Sequence, residues 1–192
     1  MTQSFEDEAR QQDLHARWTR ICERIAAAGG DPSEVRLIAV TKGQPVGAAL
    51  AAVHEGLADL GESYAQEMVE KAEHVSDARW HFIGRLQRNK VRALAPYVHL
   101  WQSVDRLSLA AEIAHRAPGA AVLVQVNVAG DEHQGGCPPA RASAVVEGCR
   151  DLGLDVRGLM AIGAQGSSDE VQGGSASSVT SRTASSLSLI HI

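Results

Sequence analysis

The sequence predicts an α/β protein, a TIM-type (β/α)8 barrel that is incomplete at its C-terminus with about six βα units present. Three observations carry this. Six short apolar runs alternate with stretches of helical periodicity across short connections, the pattern of parallel βαβ units. No dinucleotide-type glycine fingerprint follows a strand, which favours a barrel over a doubly wound sheet. The alternation stops at Gly163, two strands short of the eight that a closed barrel of about 200–250 residues contains.

Each element has its own signal. Ser4 and Asp7 read as a capping box, and Leu14, Trp18, Ile21 and Ile25 recur at helical spacing until Gly29 and Gly30. Asp31-Pro32 turns the chain into Arg36–Val40, an apolar, partly β-branched run typical of a strand buried on both faces. Pro45 opens a helix with Ala48 through Val53 on its apolar face, ended by Gly56. A second strand runs from Ala58 to Glu62, followed by a helix carrying Tyr64, Met68, Val69 and Ala72. Trp80–Gly84 is the third strand, and its helix holds Lys90, Val91, Ala93 and Leu94 before Pro96. His99–Val104 is the fourth, with Asp105 as N-cap to a helix bearing Leu107, Ala110, Ile113 and Ala114. Ala121–Asn127 is the fifth strand and ends in a glycine-rich loop. Pro138-Pro139 starts the helix with Val145, Val146, Cys149 and Leu152, and Val156–Ile162 is the sixth strand.

Residues 1–163 are therefore read as the barrel domain. Residues 164–192 are rich in serine and glycine, show no helical or strand period, and are read as an aberrant or disordered tail. Only Leu187–Ile192, at its end, is β-rich enough for a strand.

Composition narrows the function. The 192 residues carry a net charge of −5, so the chain lacks the basic footprint for nucleic acid or an anionic membrane, and a small-molecule partner is expected. No apolar run reaches the length of a membrane span, and Glu6, Asp7 and Glu8 replace the basic start of a signal peptide, which points to the cytoplasm. Three scattered cysteines suit a reducing compartment and form neither a metal nor a redox motif. A monomer is expected.

Lys42 is the candidate for chemistry. Ligands gather at the carboxyl ends of strands in barrels and open α/β sheets. A lysine held there partly out of water has a lowered pKa, and its neutral amine can attack a carbonyl, as in a Schiff base with an aldehyde cofactor such as pyridoxal phosphate. The bland alternative is a surface lysine that merely follows a strand. The other strand ends present Glu62, Ser63 and Tyr64, His81 to Gly84, Ser103, Asn127, and Met160 to Gly163. Glu62 reads either as a helix N-terminal charge or as a group orienting Lys42. His81, flanked by Trp80 and Phe82, faces away from both, as a core histidine or as a site residue. Arg85, Arg88, Lys90 and Arg92 read as a solvated basic face, and Tyr64 as a core residue with its hydroxyl at the rim.

Ala39-Val40-Thr41-Lys42, Gly61-Glu62-Ser63-Tyr64-Ala65-Gln66-Glu67, the block from Trp80 to Lys90 and Arg157-Gly158-Leu159-Met160-Ala161-Ile162 resemble the pyridoxal phosphate homeostasis family, also called YggS or PROSC. The resemblance covers roughly residues 10 to 163. It implies a fold like the N-terminal barrel of alanine racemase, with pyridoxal phosphate as a Schiff base on Lys42, and a role in vitamin B6 and amino-acid homeostasis without established turnover. It further implies Asn127 near the cofactor ring, and His81, Gly84 and Met160 lining the barrel mouth, with Glu62, Ser63, Tyr64 and Ser103 in support.

Three departures accompany the resemblance. Ser63 stands where the family has asparagine, and Gln134 stands for a lysine in the loop of Asp131 and Gly136. The late segments that supply two strands and much of the phosphate cup have no counterpart; the tail resembles an out-of-frame translation ending in sequencing-adapter read-through, so the chain is read as truncated. Beside what the resemblance implies stand two alternatives: a pyridoxal-phosphate-dependent amino-acid racemase of the same fold type, which would need a flanking acid-base pair and a second domain, or a non-functional fragment lacking the family's phosphate cup.

Overall fold

The computed structural model describes residues 2–130, 134–162 and 186–191. Asp131, Gly163 and most of the serine-rich segment lie outside the described residues. Helix α1 (Thr2–Ala27) precedes β1 (Val35–Val40), α2 (Val46–His54), β2 (Asp59–Glu62), α3 (Ala65–His74), β3 (Arg79–Phe82), α4 (Val91–Leu94), β4 (Val98–Val104), α5 (Leu107–Arg116), β5 (Ala121–Val126), α6 (Ala142–Asp151), β6 (Asp155–Ala161) and β7 (Ser186–His191). Single 3-10 turns lead into β1, α4 and α6.

All strand pairs are parallel, in the order β6-β5-β4-β3-β2-β1-β7. The first six strands lie side by side in sequence order with a helix between each pair, so the chain winds in one direction and the sheet curls as an incomplete barrel. The incomplete α/β barrel expected from the alternation is what forms. Strand β7 pairs with the other edge of β1, from Val35 opposite Ser186 to Val40 opposite His191, overlapping the short β-rich stretch Leu187–Ile192 that the sequence marks at the end of the tail.

Strand alternation sorts side chains into two cores. On the helix-covered face, Ala39, Leu60, Trp80, Phe82, Trp101, Val122 and Val124 pack against Met68, Leu94, Leu109, Ile113 and Cys149 from the helices. On the concave face, Ile38, Val40, Leu100, Ala121, Leu123 and Met160 form a second cluster, with Ile83 and Ile162 against it. The near-continuous apolar runs in the sequence reflect this burial on both faces.

Some local expectations are corrected. Helix α1 already runs from Thr2, so Ser4 lies inside it and is not its N-cap. Arg106, in extended backbone, caps α5 without a side-chain bond, while Asp105 pairs with the Arg106 guanidinium. Asp31 does cap its turn, its carboxylate accepting from the Ser33 amide at 2.8 Å. Among the described residues no helix is long and apolar enough to cross a membrane.

Candidate functional site

Lys42 follows β1 by two residues, one step of alternation beyond Ile38 and Val40, at the carboxyl end of the sheet. The ladder reaches Thr41, whose amide donates to the Gly61 carbonyl at 3.0 Å. The chain then turns: Gln44 N–H donates back to the Thr41 carbonyl at 3.0 Å, and Gly43 has φ 70°, the left-handed conformation that favours glycine at the third position of such a turn. Lys42 is exposed, and among the described residues its amine has no hydrogen-bond or ion-pair partner. The partial burial expected of it is not found, because the turn carries residue 42 up and off the sheet.

What is buried is the apparatus beneath it. Thr41 and Glu62 have no exposed surface, and Lys71 of α3 retains only 3%. The Thr41 hydroxyl donates to Glu62 Oε1 at 2.8 Å. Lys71 Nζ donates to the same Oε1, to the Thr41 carbonyl at 2.7 Å and to Glu67 Oε2 at 3.1 Å. Glu67 Oε2 also accepts the Gly43 amide at 2.7 Å. Partial burial works against ionisation of Glu67, but the Gly43 amide and the Lys71 ammonium hold its carboxyl below the ordinary glutamate value. Glu62 is thus buried and tied to the residue before Lys42.

A second polar chain crosses the concave face. Asp59, first in β2, accepts two bonds from Arg79 at 2.8 and 2.7 Å and one from His81 Nε2 at 2.9 Å. The Gln102 amide lies 2.8 Å from His81 Nδ1. Burial opposes ionisation of Asp59, yet the bonds from Arg79 and His81, reinforced by their charges, hold its carboxyl well below the usual carboxylate range. His81 is buried with both ring nitrogens engaged, on the face opposite Trp80 and Phe82 as the alternation predicts, and is a core histidine.

The remaining strand-end residues occupy different settings. Met160 is buried in the concave cluster beside Gln125 of β5. Ser103 is buried near the end of β4. Asn127 is half-buried just after β5, its amide donating to the Cys137 carbonyl at 2.9 Å while the Cys137 amide donates to Gln125 at 2.8 Å, so the returning loop fixes the strand end. Tyr64 is 59% exposed where α3 begins, not in the core as its size suggested. Gly84 lies so close to Ser63 that a Cβ on it would fall 2.1 Å from the Ser63 carbonyl oxygen. Arg85, Arg88, Lys90 and Arg92 are exposed.

Lys71, Glu67, Asp59 and Gln102 escaped the sequence reading. Lys71 had a visible signal: it sits in the apolar stripe of α3 with Met68, Ala72 and Val75, where a lone lysine must find a buried partner. Among the described residues no group of three His, Cys, Asp or Glu side chains converges as metal ligands.

Known proteins share this architecture. The family described as "Alanine racemase, N-terminal domain" matches residues 11–184. The pyridoxal phosphate homeostasis protein of Pseudomonas aeruginosa is 41% identical over 150 residues, covering 74% of this chain and 65% of that protein. The protein of the same name in Escherichia coli is 33% identical over 164 residues, covering 78% and 70%. The chain thus spans about two thirds of the length of these relatives. PipY of Synechococcus elongatus, solved with PLP bound, superimposes with TM-score 0.64 at 31% identity, over 76% of this chain and 72% of PipY. Alanine racemase of Bacillus anthracis, at 18% identity and TM-score 0.65, shares the fold. By the extent of the family match and the identity to these relatives, the chain belongs to the pyridoxal phosphate homeostasis family, built on the fold of the alanine racemase N-terminal domain.

Proposed function

We propose that this chain binds pyridoxal phosphate as a Schiff base on Lys42 and serves cofactor and amino-acid homeostasis by holding it rather than turning over a substrate. The observation that carries the reading is the state of Lys42: an exposed amine without an internal partner among the described residues, on a turn whose flanking backbone is tied down from below. The chain has three lysines. Lys71 is buried in ion pairs, and Lys90 lies among exposed arginines, which leaves Lys42 alone at a strand end. When bound, the cofactor supplies an aldehyde and a conjugated ring.

The residues present fit the aldehyde end of such a cofactor. Lys42 provides the amine, Met160 and Ile162 belong to the apolar floor with Ile38 and Val40, and Asn127 stands at a neighbouring strand end. In this proposal Ser63, Tyr64 and Ser103 border the mouth, Glu62 acts through Thr41, and His81 and Gly84 shape the site from within the scaffold. The proposal includes a cytoplasmic monomer whose partner is the small-molecule cofactor, not nucleic acid or a membrane. It also keeps residues 1–163 as the barrel unit, which six consecutive parallel strands with five helices between them support.

The test is to incubate the chain with pyridoxal phosphate, reduce with borohydride and map the adduct by peptide mass, with Lys42→Ala as control. An adduct confined to Lys42 at low micromolar cofactor is expected. Labelling spread over Lys42, Lys90 and the N-terminus, and unchanged elsewhere in the variant, would overturn the proposal.

A further inference from the structure

We propose that Lys71 is a positioning residue for Lys42, acting through a clamp that grips the backbone on both sides of it. The inference rests on the reading of Lys42 as the attachment point.

The geometry is specific. Residue 42 is bracketed by two held groups: the Thr41 carbonyl, which accepts from Lys71 Nζ at 2.7 Å, and the Gly43 amide, which donates to Glu67 Oε2 at 2.7 Å. Lys71 and Glu67 are themselves joined at 3.1 Å, one helical turn apart on α3, so both grips belong to one rigid element. Glu62 completes the assembly from β2, accepting from Lys71 and from the Thr41 hydroxyl. Strand β2 and helix α3 therefore set the height and direction from which the Lys42 side chain leaves the turn, while among the described residues no hydrogen bond or ion pair holds its amine.

Burial explains why a charged residue does this. An ammonium placed in the apolar stripe of α3 is costly unless paired and hydrogen-bonded. Here it has two carboxylates and a carbonyl, so moving the turn away would leave a buried cation short of an acceptor. The cost makes the turn stiff. A turn held only by the bond from Gln44 N–H to Thr41 and by the positive φ of Gly43 would lack that restraint.

Three substitutions separate positioning from general stability. Lys71→Met removes the centre of the clamp. Glu67→Ala removes only the grip on Gly43, from a side chain that is one-third exposed and leaves the Lys71–Glu62 pair intact, so the fold is retained. Glu67→Gln keeps an acceptor for the Gly43 amide. Two readouts apply: the ratio of Lys42 to Lys90 adduct after brief exposure to pyridoxal phosphate and borohydride, and hydrogen exchange of the Gly43 amide in the cofactor-free chain. In Lys71→Met and Glu67→Ala we expect the adduct ratio to fall about tenfold, since small misplacements of a reacting group are costly. Gly43 exchange rises by about the same factor, as a lost local restraint requires. Glu67→Gln stays within about twofold of wild type on both, because its amide oxygen replaces the lost acceptor.

An adduct ratio in Glu67→Ala that matches wild type, in a chain with an unchanged melting temperature, overturns the proposal. If wild type itself forms no Lys42 adduct, the attachment reading falls instead, and Gly43 exchange alone decides the clamp: unchanged exchange in both Lys71→Met and Glu67→Ala overturns it, and accelerated exchange restored by Glu67→Gln upholds it.

Discussion

Replacing Gly84 by alanine should destabilise the cofactor-free protein severely. A Cβ there would lie 2.1 Å from the Ser63 oxygen, 2.6 Å from its Cα and 2.7 Å from its carbonyl carbon. All three are backbone atoms, so no side chain can swing aside, and the exits of β2 and β3 must separate by about 1 Å to restore ordinary contact. The bond from Ile83 N–H to the Glu62 carbonyl, 2.9 Å long, lies in the path of that movement. Overpacking of this kind costs about 1–3 kcal/mol or more, and with a rigid obstacle on the far side the upper end applies. For a chain of this size about 3 kcal/mol corresponds to a fall in Tm of about 6–12 °C. Urea unfolding of Gly84→Ala without cofactor measures it directly. A change below about 0.5 kcal/mol, the level of an ordinary surface substitution, would refute the steric argument. If it came with weakened Lys42 labelling, Gly84 would serve ligand access and not scaffold packing.

Two further outcomes test the buried groups. The Asp59 carboxyl has a depressed pKa in the folded state, so the stability it contributes is present above the unfolded value near 4 and is lost as pH falls through the folded one. Asp59→Asn should therefore cost about 1.5–3 kcal/mol at pH 7, with the gap to wild type narrowing below about pH 4; urea midpoints at pH 7 and 3 check this, and a gap that widens in acid would reverse the sign. Burial, reinforced by nearby Cys137, pushes the Cys149 thiol up to about 11. In native protein at pH 8 Cys149 should resist alkylation by iodoacetamide while half-buried Cys22 reacts, and mass mapping of a native Cys149 adduct would contradict its burial.

Periodicity alone determined the alternation of strands and helices in this chain. A buried parallel strand needs a short β-branched run and a covering helix needs its own stripe, and both are local properties of neighbouring residues. Lys42 was visible for the same reason, as a lone amine just past a short continuous apolar run with Gly43 and Pro45 behind it. Capping was read less well: Ser4 has cap chemistry but sits inside a helix, and Asp105 spends its carboxylate on Arg106. The partners of the strand ends were decided only by the tertiary structure. Lys71 is 29 residues from Lys42 and meets Thr41 because β1 and β2 are neighbours and α3 packs over them. Asp59 and Gln102 reach His81 from adjacent strands by register, which no single segment encodes. Burial then selected among the alternatives the residues had left open. It made His81 and Glu62 structural neighbours of the site, left Tyr64 and Lys42 in solvent, and turned a lysine in an apolar stripe into the centre of an ion network, because a buried charge is tolerated only where the whole fold brings its acceptors to it.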